Sequence, residues 1–250
     1  MGTTLNFHIP FPAAEAKERL VVFHHAGGSA LSFAKLAKGL GGGHYEVWLA
    51  ELPGRGFRHR EPALTSLKEY ALACAREIPF DVPVNLYGHS MGAGLAFETA
   101  RSAEAAGNRV RRVIVSCCRP PAAGHGPSIL KELDPGAWND EELLRAMALY
   151  GPVPPALQDP AGRTYFLPLF RHDLTLIRQY HCEGPPLHAP ILAIAGRSDP
   201  EVRPAVMQGW RDYTEGTFQL LTEEGGHFCV LEKPAALQGL FERLKASGPC

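Results

Sequence analysis

Six short apolar runs set the strongest limit on how this chain can fold. They are Arg19–His25, Tyr45–Leu52, Pro83–His89, Val110–Cys117, Pro190–Gly196 and Phe218–Glu224. Each is nearly continuous Val, Ile, Leu or Ala without clean alternation, the pattern of parallel strands covered on both faces. Helical patterns fall between them, at Ser29–Leu40, Ser66–Ile78, Met91–Ala106, Arg203–Thr214 and Pro234–Ala246. Ser66 with Glu69 has capping-box spacing, and Gly107 suits a left-handed helix end. Strand and helix in alternation predict an α/β fold with a doubly wound, mostly parallel sheet. Asn6–Phe11 adds a possible edge strand, cut short by Pro10 and Pro12.

One interval breaks the rhythm. About 70 residues separate the strand ending near 117 from the one starting near 190, far beyond an ordinary crossover. This insert, residues 119–189, carries helical patterns of its own at Asp140–Tyr150, opened by Asn139 and Glu142, and at Thr164–His181. The expectation is one domain over residues 1–250 with 119–189 as a helical lid, against the plainer alternative that the insert only packs onto the domain.

The third run leads straight into Gly88-His89-Ser90-Met91-Gly92, and a helix begins at once. A Gly-x-Ser-x-Gly pattern alone is weak; on a sharp strand-to-helix turn it describes a nucleophile elbow. Glycine is needed at 88 and 92 because side chains there would collide across the turn. Ser90 is therefore the expected nucleophile. It needs a base oriented by a third group, in the chain order serine, acid, histidine. Of eleven histidines, only His227 follows the last strand, in a loop loosened by Gly225 and Gly226. Asp199 directly follows the fifth strand and is the expected acid, although an aspartate before Pro200 also suits a helix start. An oxyanion hole needs backbone N–H groups; Met91, next to the nucleophile, and Ala26, in His-His-Ala-Gly-Gly after the first strand, are the expected donors. Gly27-Gly28 also fits a simple tight turn.

Acidic and basic residues nearly cancel, 26 against 25, so net charge gives no reason to expect a nucleic-acid partner. No apolar run approaches the ~20 residues that span a bilayer, and the first twenty residues lack a basic start followed by an apolar run. The six cysteines form neither a paired framework nor a zinc spacing. A cytoplasmic monomer needing no metal or organic cofactor is expected. The loop Gly54–Arg60 gathers Arg55, Arg58, His59 and Arg60 on the rim that should carry Ser90. It is expected either to meet an acidic partner by charge steering or to be a solvated loop.

The segments FHHAGGSALSFAKLAKGL, LAELPGRGFR, LYGHSMGAGLAFETA, GRSDPEV and GGHFCVLE, in this order, resemble type II thioesterases. These are α/β-hydrolases that accompany polyketide and nonribosomal peptide synthases. The resemblance covers nearly the whole chain, with the insert matching mainly near LPLFRHDLTLIRQY. It implies Ser90, Asp199 and His227 as a triad, with Ala26 and Met91 as oxyanion donors. The implied substrates are acyl groups held as thioesters on the phosphopantetheine arm of an acyl or peptidyl carrier protein. Arg55, Arg58 and Arg60 then become candidates for meeting that carrier or the arm's phosphate. Two positions depart from the family pattern: His24 stands where proline is usual, and Cys117-Cys118 is unusual after the fourth strand. A carboxylesterase or lipase-like hydrolase would share the triad, and a silent carrier-binding scaffold would lack a working one.

Overall fold

The computed structural model describes residues 2–3, 5–121 and 134–246. Eight strands form one sheet: β1 (Gly2–Thr3), β2 (Phe7–Ile9), β3 (Glu18–Phe23), β4 (Tyr45–Ala50), β5 (Val84–His89), β6 (Val110–Ser116), β7 (Ile191–Gly196) and β8 (Phe218–Glu223). Their order is β1-β2-β4-β3-β5-β6-β7-β8. The last six are parallel to one another; β1 and β2 extend one edge antiparallel. All six apolar runs are strands. Five of them are buried or nearly so along their length, as two-sided coverage requires. β8 is the exception, half-exposed because it is the outer strand.

The helices are α1 (Ala34–Leu40), α2 (Leu67–Glu77), α3 (Met91–Ala105), α4 (Asp140–Ala148), α5 (Pro160–Gln179), α6 (Pro204–Met207), α7 (Cys229–Glu232) and α8 (Pro234–Ala246). One apolar cluster joins α2 and α3 to one sheet face; a second joins α1 and α8 to the other. The sheet is thus wound on both faces. Several boundaries differ from expectation. Ser29–Leu40 is a 3-10 turn running into α1, and Arg203–Thr214 is the short α6 continued as 3-10 helix. α5 starts four residues earlier than periodicity indicates, because Pro160 occupies the first helical position, where its missing N–H costs nothing.

Of the insert, 122–133 lies outside the described residues, and with it His125. In the described part, α4 packs on α5, both line one cavity with Met91 and Gly94 of α3, and Tyr180, just past α5, donates to Glu98 of α3. α3 is buried on nearly every side, so its small Gly92, Ala93, Gly94 and Ala96 allow close approach. Among the described residues, no helix is long and apolar enough to cross a membrane.

The chain runs from β3 outward to β4, then returns to place β5 on β3's other side. Between the ends of β3 and β5 the connections diverge, which opens a crevice where open α/β sheets place their ligands.

Candidate active site

The elbow follows from two steric facts. A Cβ on Gly88 would lie 1.9 Å from the Gly92 carbonyl oxygen, and one on Gly92 would lie 2.2 Å from that of Phe23. Neither position admits a side chain without moving backbone. Between them Ser90 sits at φ 55°, ψ −120°, a strained conformation for a residue with a Cβ. The turn is held by the Ser90 N–H donating to Ser116 O at 2.9 Å, and by the Ala93 N–H donating to Ser90 O at 2.9 Å. Ser90 Oγ is thereby raised above the strand ends at the start of α3.

The three side chains selected from the sequence meet there. Ser90 Oγ lies 3.0 Å from His227 Nε2, and His227 Nδ1 lies 2.7 Å from Asp199 Oδ2. An ionised carboxylate only accepts, so Nδ1–H donates to Asp199 and Nε2 offers its lone pair to the serine hydroxyl. Asp199 Oδ1 accepts from the amides of Glu201 and Val202, both at 2.9 Å. The aspartate therefore does cap the next turn, and it orients the histidine with its other oxygen. Burial raises its pKa, but the hydrogen bond and charge of His227, with the two amides, reverse this and hold the carboxyl below its ordinary value. The loops carrying the pair are tied together, since the Ser198 N–H donates to Gly225 O at 2.9 Å. They also pack closely: a Cβ on Gly196 would come within 2.2 Å of Gly226 O.

Met91 opens α3, so its N–H has no acceptor within the helix. Ala26 lies in the loop after β3 and lines the same cavity as Ser90, Met91 and His227. That cavity holds about 420 Å³. Its outer wall comes mainly from the insert, through Met147, Tyr150, Leu157, Phe166, Phe170, Leu174, Ile177 and Tyr180. The Tyr150 ring lies 4.4 Å from the His227 imidazole, centroid to centroid, and Phe228 packs edge-on to it at 5.3 Å. These rings pack on the imidazole, which is buried. His89 and His25 stand close behind; burial, before the charge of neighbouring histidines, lowers the pKa of His89 well below the usual range. His25 is lowered too, again chiefly by burial. Neither adds a positive charge beside His227 near neutral pH.

The expectation for the basic loop is corrected in two of its three arginines. Arg55 is 1 % exposed and Arg58 is 6 % exposed. Arg55 is paired bidentately with Asp173 of α5. Arg58 grips Glu61, Asn6 Oδ1 and Glu51 O, pinning its own loop to the sheet edge. Neither guanidinium is free for a docking partner, because both are buried and taken up by partners within the chain. Arg60 alone of the three is exposed. His24, at the position where the family pattern has proline, is buried with Nδ1–H donating to His25 O at 2.8 Å. Burial and then the Arg55 charge hold its pKa well below the usual value.

Sequence reasoning missed Tyr150, Phe228 and Asp173. The last two had readable signals: Phe228 adjoins the predicted base, and Asp173 is an acid on the apolar stripe of a predicted helix.

A mostly parallel sheet with the serine on a strand-to-helix elbow, and with the aspartate and histidine on loops after later strands, defines the α/β-hydrolase class. Within it, residues 18–247 match the family model described as a thioesterase domain, so the chain belongs to that family. It is 32% identical over 226 residues to phenyloxazoline synthase MbtB of Mycobacterium tuberculosis, covering 88% of this chain and 15% of that protein. This chain thus corresponds to a small part of the length of that relative. It is 34% identical over 224 residues to thioesterase PikA5 of Streptomyces venezuelae, covering 88% of this chain and 78% of the other. Among solved structures, the type II thioesterase BorB from the borrelidin biosynthetic cluster superposes with a TM-score of 0.85 at 32% identity, covering 97% and 98% of the two chains.

Proposed function

We propose that this protein hydrolyses acyl thioesters carried on the phosphopantetheine arm of acyl or peptidyl carrier proteins, through an acyl-Ser90 intermediate. The observation that carries this reading is the hydrogen-bonded line Ser90–His227–Asp199 at the floor of an apolar cavity. His227 Nε2 takes the Ser90 proton as Oγ attacks the thioester carbonyl carbon. Asp199 holds the ring in the required tautomer and stabilises the imidazolium. The amides of Ala26 and Met91 receive the oxyanion, a donor pair in which each member typically contributes about 3 kcal/mol. The C–S bond breaks, and the carrier thiol leaves with the proton from His227. Water then enters; His227 takes its proton, and collapse of the second tetrahedral species frees the acid and restores Ser90. Every step uses groups this chain supplies, with no redox change.

The insert, residues 119–189, is read as the lid: its described part gives the cavity an apolar side built from Met147 of α4, Tyr150, the link through Leu157, and Phe166, Phe170, Leu174 and Ile177 of α5. The protein is read as one domain over residues 1–250, acting as a monomer in the cytoplasm. Arg60 remains as a rim contact for the carrier. The relatives support this reading by what they are called: a phenyloxazoline synthase, a thioesterase, and a type II thioesterase from a biosynthetic cluster.

The test is mass spectrometry of acylated carrier proteins before and after incubation with the enzyme, alongside matching simple oxygen esters. Loss of the acyl mass from carriers, faster than ester cleavage, is expected. Preference for the oxygen ester would replace the thioesterase reading with a carboxylesterase. Failure of a fluorophosphonate to label Ser90 would leave only a binding role.

A further inference from the structure

Helix α5 carries a carboxylate on the face it buries. Asp173 is 0 % exposed, among Phe170, Leu174 and Ile177. A buried aspartate on an apolar stripe is costly unless every lone pair is used. Its Oδ1 accepts from Arg55 Nη2 at 2.6 Å; its Oδ2 accepts from Arg55 Nη1 at 2.7 Å and from the Gly27 N–H at 2.7 Å. Arg55 Nη1 also donates to Gly28 O at 3.1 Å. The ion pair therefore grips the loop after β3 on both sides, one partner at a backbone donor and the other at a backbone acceptor.

The rest of that loop is closed on itself. Ala26 O accepts from His25 Nδ1 at 2.9 Å, so the peptide joining Ala26 to Gly27 is held at both ends, its oxygen by His25 and its N–H by Asp173. The Gly28 N–H donates to His25 O at 3.0 Å. Among the described residues, nothing accepts from the Ala26 N–H. Glycines at 27 and 28, the first at φ 70°, give this loop little rigidity of its own. Its shape is imposed from α5, against which it fits closely: a Cβ on Gly27 would lie 3.2 Å from the Phe170 ring.

We propose that Asp173 and Arg55 are positioning residues for catalysis: together they fix the loop so that the Ala26 amide points at the oxyanion. This rests on the thioester-hydrolase reading of the Ser90 site. Two physical points favour positioning over simple support. A buried ion pair is seldom kept for stability alone, because well-packed apolar replacements do as well. And an oxyanion donor acts only within about 2.7–3.1 Å of the charge, a tolerance that a glycine loop does not hold unaided.

The deciding variant is the double substitution Arg55→Met with Asp173→Leu, which removes both charges together and strands neither. With acyl-N-acetylcysteamine thioesters, kcat should fall roughly 100-fold while KM stays within about threefold. Melting temperature should stay close to wild type. Wild-type kcat in a folded double variant would overturn the proposal, as would a loss carried by KM alone, which would mark the pair as an acyl-site contact. If the double variant does not fold, Asp173→Asn decides. It keeps an acceptor for the Gly27 N–H but loses the charge on Arg55's partner. A roughly tenfold fall in kcat at unchanged KM supports positioning, and wild-type kcat refutes it. A wild-type enzyme that is phosphonylated at Ser90 yet turns over no thioester would refute the functional reading instead. The clamp is then read from the phosphonylation rate, which uses the same backbone donors.

Discussion

Replacing Asp199 by asparagine separates the two duties of that residue. The substitution keeps the volume, so packing is untouched. Its oxygen has to remain with the amides of Glu201 and Val202, because an NH2 group turned that way would face two donors at 2.9 Å. The amide nitrogen then lies where Asp199 Oδ2 stood, 2.7 Å from His227 Nδ1. That nitrogen only donates, so Nδ1 must become the acceptor and the ring proton must move to Nε2. Ser90 Oγ, 3.0 Å from Nε2, would meet an N–H in place of a base. The fold and the triad distances are retained while the base is lost. A change of this kind lowers kcat by about 10⁴, equivalent to about 5 kcal/mol of transition-state stabilisation. Thiol release from an acyl-N-acetylcysteamine substrate, followed with a chromogenic disulfide, measures it directly. Melting temperature and the circular dichroism spectrum should match wild type. Retention of more than a tenth of wild-type kcat would refute the reasoning, since the cap would then not dictate the orientation of residue 199.

Three further outcomes are expected. Gly92→Ala places a methyl group against the Phe23 carbonyl, and relief requires shifting β3 or α3; a loss of about 3 kcal/mol or more should appear in urea unfolding, and near-wild-type stability would show that the elbow yields. Arg58→Ala should lower the melting temperature by stranding Asn6, Glu61 and Glu51 O, whereas Arg60→Glu should leave it unchanged and alter only KM for carrier-bound substrates; the reverse pattern would return Arg58 to a docking role. Glu51, 1 % exposed, is pushed up to about 7, chiefly by burial, with the Ala30 amide and the charges of Arg55 and Arg58 opposing. Between the unfolded value of 4.5 and about 7 the folded chain holds a proton that the unfolded chain releases. Glu51's contribution to stability is therefore present below 4.5 and lost as pH rises through 7. Glu51→Gln should thus gain on the order of 3 kcal/mol relative to wild type between pH 4.5 and pH 8, read as the difference in urea midpoints; parallel curves would rule this out.

What could be read from the sequence was what backbone geometry demands locally. Gly88 and Gly92 bracket Ser90 for a reason that needs no distant partner, and the strand ends were marked by apolar runs, so Asp199 and His227 could be placed by chain order. The basic loop was misjudged because charge says nothing of burial. Glu61, which takes Arg58, lies three residues away and gave a local hint. Asp173, which takes Arg55, lies far along the chain inside the insert, and no local pattern links them. The contact of Tyr150 with His227 was hidden for the same reason, since it depends on how the insert folds back. α5 starts earlier than its periodicity shows because Pro160 is harmless at a helix start, although the eye treats it as a stop.

The arrangement of α5 has a consequence for anyone exchanging the segment between β6 and β7 among relatives to reshape the cavity. Phe170, Leu174 and Ile177 share a helix with Asp173, so the side chains that shape the wall travel with the anion that neutralises a cation rooted in another part of the chain. A chimera whose donor segment lacks an acid at that register would leave Arg55 charged and alone in the interior, a defect of about 3–5 kcal/mol. Successful exchanges should therefore keep the acid or replace the arginine along with it.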